Sequence, residues 1–110
     1  MDDELVLYTS EQYTDDYGVT RERIKPRTVF CRVGPITRQE FFDAGRNGLN
    51  PELQFTVFPL DYHGEETCRF HGKDYGIYRT YHVPGTDNLE LYVERKGGTN
   101  GAYSRSGSRA

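Results

Sequence analysis

Residues Ile36–Leu53 read ITRQEFFDAGRNGLNPEL, one short capped helix set in a chain whose other periodic segments all alternate as strands. Thr37 followed by Glu40 has the form of a capping box, in which a hydroxyl and a carboxylate each satisfy an orphan backbone N–H of the first turn. Phe41, Phe42 and Ala44 supply an apolar face. Gly45, Asn47, Gly48 and the pair Asn50-Pro51 then offer several non-helical exits before a third turn is complete. The spacing predicts a helix over about 37–46 of two to three turns.

Working outward, Thr28–Val33 places Val29, Cys31 and Val33 on one face and Phe30 and Arg32 on the other, the period of a half-buried strand. Glu4–Thr9 alternates more weakly as a first strand, and Ser10–Lys25 between them reads as a long polar loop or a β-hairpin. Gln54–Leu60 follows the helix, with Phe55 and Val57 opposed to Thr56 and Phe58. Pro59 bars a central ladder position, which predicts that the next strand lies at or near an edge. Turns at His63-Gly64, His71-Gly72 and Pro84-Gly85 separate Glu66–Phe70, Tyr75–His82 and Leu89–Arg95. The last strand directs Leu89, Leu91 and Val93 inward and should pair with Tyr75–Tyr81. Six short strands with such punctuation predict a mainly β chain, a small antiparallel β-barrel with one inserted helix.

The 110 residues suffice for one domain with a modest core, here assigned to 1–97. Residues 98–110 are Gly- and Ser-rich and carry no acid, which predicts a flexible tail. Hydrophobic content is only 35%, so the nine Tyr and six Phe must bury much of the area. The net charge of −3 is unevenly spread. Asp2, Asp3, Glu4, Glu11, Asp15 and Asp16 precede the first basic residue, after which Arg21, Arg23, Lys25, Arg27 and Arg32 form a basic run. Opposite charges in different places suit a self-complementary or ringlike contact, or simply a solvated loop. Two widely spaced cysteines do not make a disulfide framework, and a reduced intracellular setting fits. No apolar run is long enough to span a bilayer, and MDDELVLYT lacks a basic signal region; a chain soluble in a cytoplasm is expected.

Sites of chemistry are sparse. His63, Cys68 and His71, with Cys31 from another strand, follow no zinc spacing, and neither cysteine has an evident activating neighbour. The carboxylate pairs Glu65-Glu66 and Asp15-Asp16 read as solvated turn residues. No phosphate loop is present, so no catalytic, metal-binding or cofactor-binding residue is assigned. Tyr75, Tyr78, Tyr81 and Tyr92 with Arg69, Arg79 and Arg95 are the set that would stack on bases and meet phosphates, although an acidic balance argues against that use. If Phe41 and Leu91 are buried, alanine at either should cost about 2–5 kcal/mol.

The segments TRQEFFDAGRNGL, FTVF, DYHGEE, FHGKDYGIYRTY and NLELYVERKGG together resemble the head-closure proteins of tailed bacteriophages, also called head-tail joining or stopper proteins, from about Val29 to Gly98. The resemblance implies a barrel that forms a ring below the portal and adaptor, retains packaged DNA and offers a docking surface to the tail. In some relatives a long loop between early strands closes the channel. By position this is Ser10–Lys25, with Asp15 and Asp16 repelling DNA and Arg21, Arg23 and Lys25 attracting it, unless the segment is a hairpin with no gating role. Arg38, Gln39, Asp43 and Arg46 on the helix are the candidate contact with a ring neighbour or the adaptor, or the helix plugs an open barrel end. The implied partners are the portal, the adaptor, a tail-completion protein and further copies of the chain, which is monomeric in isolation. The implied location is the virion head-tail interface, reached from the host cytoplasm, with no membrane and no cofactor. A tail-terminator protein, a small nucleic-acid-binding β-barrel and a metal-dependent hydrolase are the rival readings.

Overall fold

A computed structural model describes residues 2–96; the expected flexible tail at 98–110 lies outside them. The strands are β1 (Asp3–Thr14), β2 (Thr20–Gly34), β3 (Pro51–Val57), β4 (Thr67–Phe70), β5 (Lys73–His82) and β6 (Leu89–Arg95), and the helix α1 spans Arg38–Gly45. They close into an antiparallel barrel in the order β1-β2-β3-β6-β5-β4. Strand pairing puts Leu5 opposite Val29, Phe55 opposite Val33 and Leu91, and Ile77 opposite Val93. Each alternating apolar set therefore points into one interior. Leu5, Leu7, Val29, Cys31, Phe55, Val57, Cys68, Phe70, Tyr75, Leu91 and Val93 form that core. Phe55 links its two walls, with ring centroids 4.9 Å from Phe70 and 6.2 Å from Tyr75 in edge-to-face geometry.

Two expectations are corrected. Pro59 opens a 3₁₀ turn, Pro59–Asp61, so β3 ends at Val57 rather than Leu60. The following strand is not at an edge: β4 pairs with β5 along its length and with β1 through Val6↔Arg69 and Leu7↔Cys68, and this short seam closes the barrel. Of the two readings of Ser10–Lys25, the structure shows the hairpin: the segment is the outer half of a continuous hairpin, in register from Asp3↔Cys31 to Thr14↔Thr20. Arg21, Arg23, Lys25 and Arg27 alternate in phase with Val29 and Cys31, so one strand carries a basic stretch and a core stretch on the same face. Pro26 is accommodated because β2 has a second neighbour only at Arg32–Gly34.

The strand directions sort the connections into two groups. The hairpin tip, the 58–66 segment and the 83–88 turn lie at one end of the barrel. The chain start, the β4–β5 turn, the β2–β3 connection bearing α1, and Lys96 lie toward the other.

Candidate functional site

Two features project from the barrel, and each is fixed by a polar cluster that fits no simple motif. The first is the hairpin. Beyond Thr9↔Lys25 its ladder continues for five pairs, about 17 Å at ordinary strand rise. Asp15 organises the tip: its carboxylate accepts from the backbone N–H groups of Tyr17 (2.9 Å) and Val19 (3.0 Å) and from Arg21 Nε. Gly18, at φ +77°, takes the left-handed position the turn requires. The Arg21 hydrogen bond, with the backbone donors, holds the Asp15 carboxyl below its ordinary range. Asp15 is thus a turn staple rather than a free repelling charge. Arg23 pairs with Glu11 at 3.1 Å and lies over the Tyr13 ring at 4.7 Å. Of the candidate channel residues, Asp15, Arg21 and Arg23 are engaged within the hairpin, while Asp16 and Lys25 are exposed with no ion pair among the described residues.

The hairpin base is braced by Glu65, whose side chain is 1% exposed. Its carboxylate accepts from Thr9 Oγ1 (2.5 Å), Arg27 Nη2 (2.8 Å) and the His63 backbone N–H (2.7 Å). Arg27 also donates to the Asp61 carbonyl at 2.6 Å, and the Tyr62 hydroxyl to the Glu65 carbonyl at 2.6 Å. Burial pushes the Glu65 carboxyl up, but the hydrogen bonds from Thr9, Arg27 and His63 overcome this and hold it at about 2. The sequence reading of Glu65 as a solvated turn residue is corrected: β1, β2 and the 58–66 segment converge on it.

The second projection is α1. Thr37 caps it, its hydroxyl accepting from Glu40 N at 3.1 Å, but the capping box is only half made. Glu40 instead reaches the Tyr78 hydroxyl (2.7 Å) and Arg79 on β5. Burial opposes ionisation of Glu40, and the Arg79 and Tyr78 hydrogen bonds outweigh it, so its pKa is lowered. Arg79 lies 4.1 Å over the ring of Tyr92, its register partner on the outward face of β6. Glu40 thereby straps the helix to the outer wall instead of letting it plug a barrel end. The Glu40→Ala variant is expected to raise amide exchange across 38–45 severalfold while leaving exchange in β6 unchanged. Hydrogen-exchange mass spectrometry reads both.

This placement overturns the expected apolar face. Only Ala44 of the helix is buried; Phe41 is 54% and Phe42 58% exposed, their rings in edge contact at 6.2 Å. The expected core cost therefore applies to Leu91, which is fully buried, and not to Phe41. Gln39 and Arg46 both donate to Asp43, and Arg38 is exposed beside them, so the four candidate interface residues share the solvent-facing side with the phenylalanines. Gly48, at φ +79°, ends the segment, with Leu49 N–H returning to the Ala44 carbonyl at 3.1 Å.

The base-stacking set is largely committed elsewhere. Tyr75 is buried, Tyr78 and Arg79 hold Glu40, Arg69 pairs with Asp74 at 2.8 Å, and the Tyr92 hydroxyl donates to Glu90 at 2.5 Å. The His and Cys residues are also dispersed. Cys31 and Cys68 face the core, where burial pushes their thiols up to about 11 and about 12. His63 lies in the brace and His71 stacks on Phe70 at 3.9 Å. Among the described residues no group of three His, Cys, Asp or Glu side chains is placed to hold a metal, and no helix is long and apolar enough to cross a membrane.

No protein-family model matches the chain, and a search of curated proteins finds no match to it.

Proposed function

We propose that the chain is a non-enzymatic connector of the tailed-phage head-closure kind, which forms a ring below a portal and adaptor, retains packaged DNA and offers the tail its docking surface. The observation that carries this reading is the polarity of the barrel. A braced hairpin extends from one end, and a helix with two exposed phenylalanines is strapped near the other. A layer that joins one ring above to another below needs contact surfaces in both directions. Paired exposed aromatic rings with arginine around them are also typical of the centre of a protein interface. The resemblance of TRQEFFDAGRNGL and FHGKDYGIYRTY to that family falls on α1 and on the β4–β5 hairpin, which supplies the Tyr78-Arg79 strap. The site of action is the head-tail interface, assembled from the host cytoplasm. The hairpin, with its Arg21, Arg23 and Lys25 face, is the part that turns toward the channel.

In vitro complementation tests the proposal. Tail-less, DNA-filled heads from the encoding phage, incubated with the purified protein and then with tails, are expected to yield infectious particles. Phe41→Ser/Phe42→Ser and Arg46→Glu should each change stability by less than about 1 kcal/mol, because the side chains stand in solvent, yet lower the particle yield by tenfold or more. Full yield from the double phenylalanine variant would remove the helix from the interface. No yield from the wild-type protein would remove the connector reading.

A further inference from the structure

The outer wall where β1, β2 and β4 meet carries a shallow groove of about 470 Å³. Phe30, 60% exposed, stands in it opposite Glu4, and Val6 with Thr28 is the next outward pair of the β1–β2 register. Asp2, Asp3, Arg69 and His71 complete the lining. The charge of Arg69 is already matched by Asp74, and His71 is 3.8 Å from Asp3. The rim is therefore acidic around an exposed aromatic ring, a surface suited to a partner that presents aromatic rings flanked by arginine.

Helix α1 is such a surface. Arg38, Phe41, Phe42 and Arg46 recur at spacings of three and four, so they form one stripe about 12 Å long on the side of the helix turned away from Glu40. Groove and helix lie at the same end of the barrel, the groove beside the chain start and the β4–β5 turn, the helix in the β2–β3 connection. They lie on opposite walls. In the closed order β1-β2-β3-β6-β5-β4, the strands that carry Tyr78, Arg79 and Tyr92 beneath the helix stand across from β2 and β1. One copy therefore cannot bring its own helix to its own groove, and a twofold pair cannot make both contacts at once. Complementary patches at one level on opposite walls are what successive subunits of a ring require. We propose that α1 of one copy docks in the groove of the next, with Phe41 and Phe42 against Phe30 and Val6, and Arg38 and Arg46 over the carboxylates of Asp2 and Glu4. The contact deepens the connector reading and rests on it for the ring, in which it joins neighbours within the layer. Each contact is small, which keeps the isolated chain monomeric at modest concentration.

Paramagnetic relaxation between copies of the full-length protein tests this. A nitroxide is placed on Asn47→Cys, just past the helix, with Cys31 and Cys68 protected by burial, and this copy is mixed at millimolar concentration with an isotope-labelled copy that carries no nitroxide. The amide signals of Glu4, Thr28 and Phe30 in the isotope-labelled copy should broaden several times more than those of Thr80 and Tyr92 on its opposite wall. Arg38→Glu/Arg46→Glu in the nitroxide copy, or Asp2→Lys/Glu4→Lys in the isotope-labelled copy, should each abolish the difference, and mixing the two variants should restore it; all four positions are exposed. No broadening, uniform broadening, broadening centred on Phe41 and Phe42, or no recovery with the paired variants would overturn the proposal. The complementation assay is read separately. Infectious particles formed by a protein without this broadening would remove the helix-in-groove contact alone, and the predicted broadening without particles would remove the connector reading alone.

Discussion

Replacing Phe55 by alanine is expected to destabilise the barrel by about 3–5 kcal/mol, lowering its melting temperature by on the order of 20 °C. The ring is fully buried, and its register partners are Val33 on β2 and Leu91 on β6. It also meets Phe70 and Tyr75 across the interior. Deleting it leaves a void that four strands line, and a closed barrel relaxes poorly because no strand can move without breaking a ladder. Leu91→Ala is the smaller version of the same lesion, at about 2–5 kcal/mol. Urea denaturation measures both. A loss below about 1 kcal/mol for Phe55→Ala would mean that the two walls do not meet through this residue.

Arg27→Ala is expected to cost about 2–4 kcal/mol, because it leaves the buried Glu65 carboxylate without its cation. Glu65 also makes a specific prediction about pH. Its pKa is depressed in the folded protein, from an ordinary 4.5 to about 2. The stability it contributes is therefore complete above pH 4.5 and is lost as pH falls through about 2, a difference of about 3 kcal/mol. Glu65→Gln removes that part of the acid dependence, and denaturation curves at pH 7 and pH 2.5 on the two proteins isolate it. Amide exchange should rise in Thr9–Thr14 and Thr20–Lys25 of Arg27→Ala, since the brace is what joins the hairpin to the barrel. Equal acid sensitivity of wild type and Glu65→Gln would contradict the brace.

Much of the barrel is legible in the residues themselves. Val29-Cys31-Val33 and Leu89-Leu91-Val93 alternate cleanly because each strand has one wet face and one dry face, and the helix limits follow from Thr37 and Gly48. The sequence leaves loop and hairpin both open for Ser10–Lys25 because the inward-phase positions past Thr9 and Lys25 lie beyond the core and carry charge instead of methyl groups. The unbroken odd-number series Arg21, Arg23, Lys25, Arg27, Val29, Cys31 was the available signal. The two polar clusters were not legible. Glu65 meets Thr9 and Arg27 from far along the chain, and Glu40 leaves its local partner for Tyr78 and Arg79, contacts that only the closed sheet brings together. Phe41 and Phe42 misled for the opposite reason: apolar residues on a helix predict burial unless the buried side is already supplied, here by Ala44 and the Glu40 strap.

The most direct test of the connector proposal is cryo-electron microscopy of the purified protein with tail-less, DNA-filled capsids of the encoding phage. A ring of added density below the portal, with DNA retained, the hairpins turned to the channel and α1 at a subunit or ring boundary, is the predicted result. Capsids that bind no protein, or bind it away from the portal vertex, would contradict it.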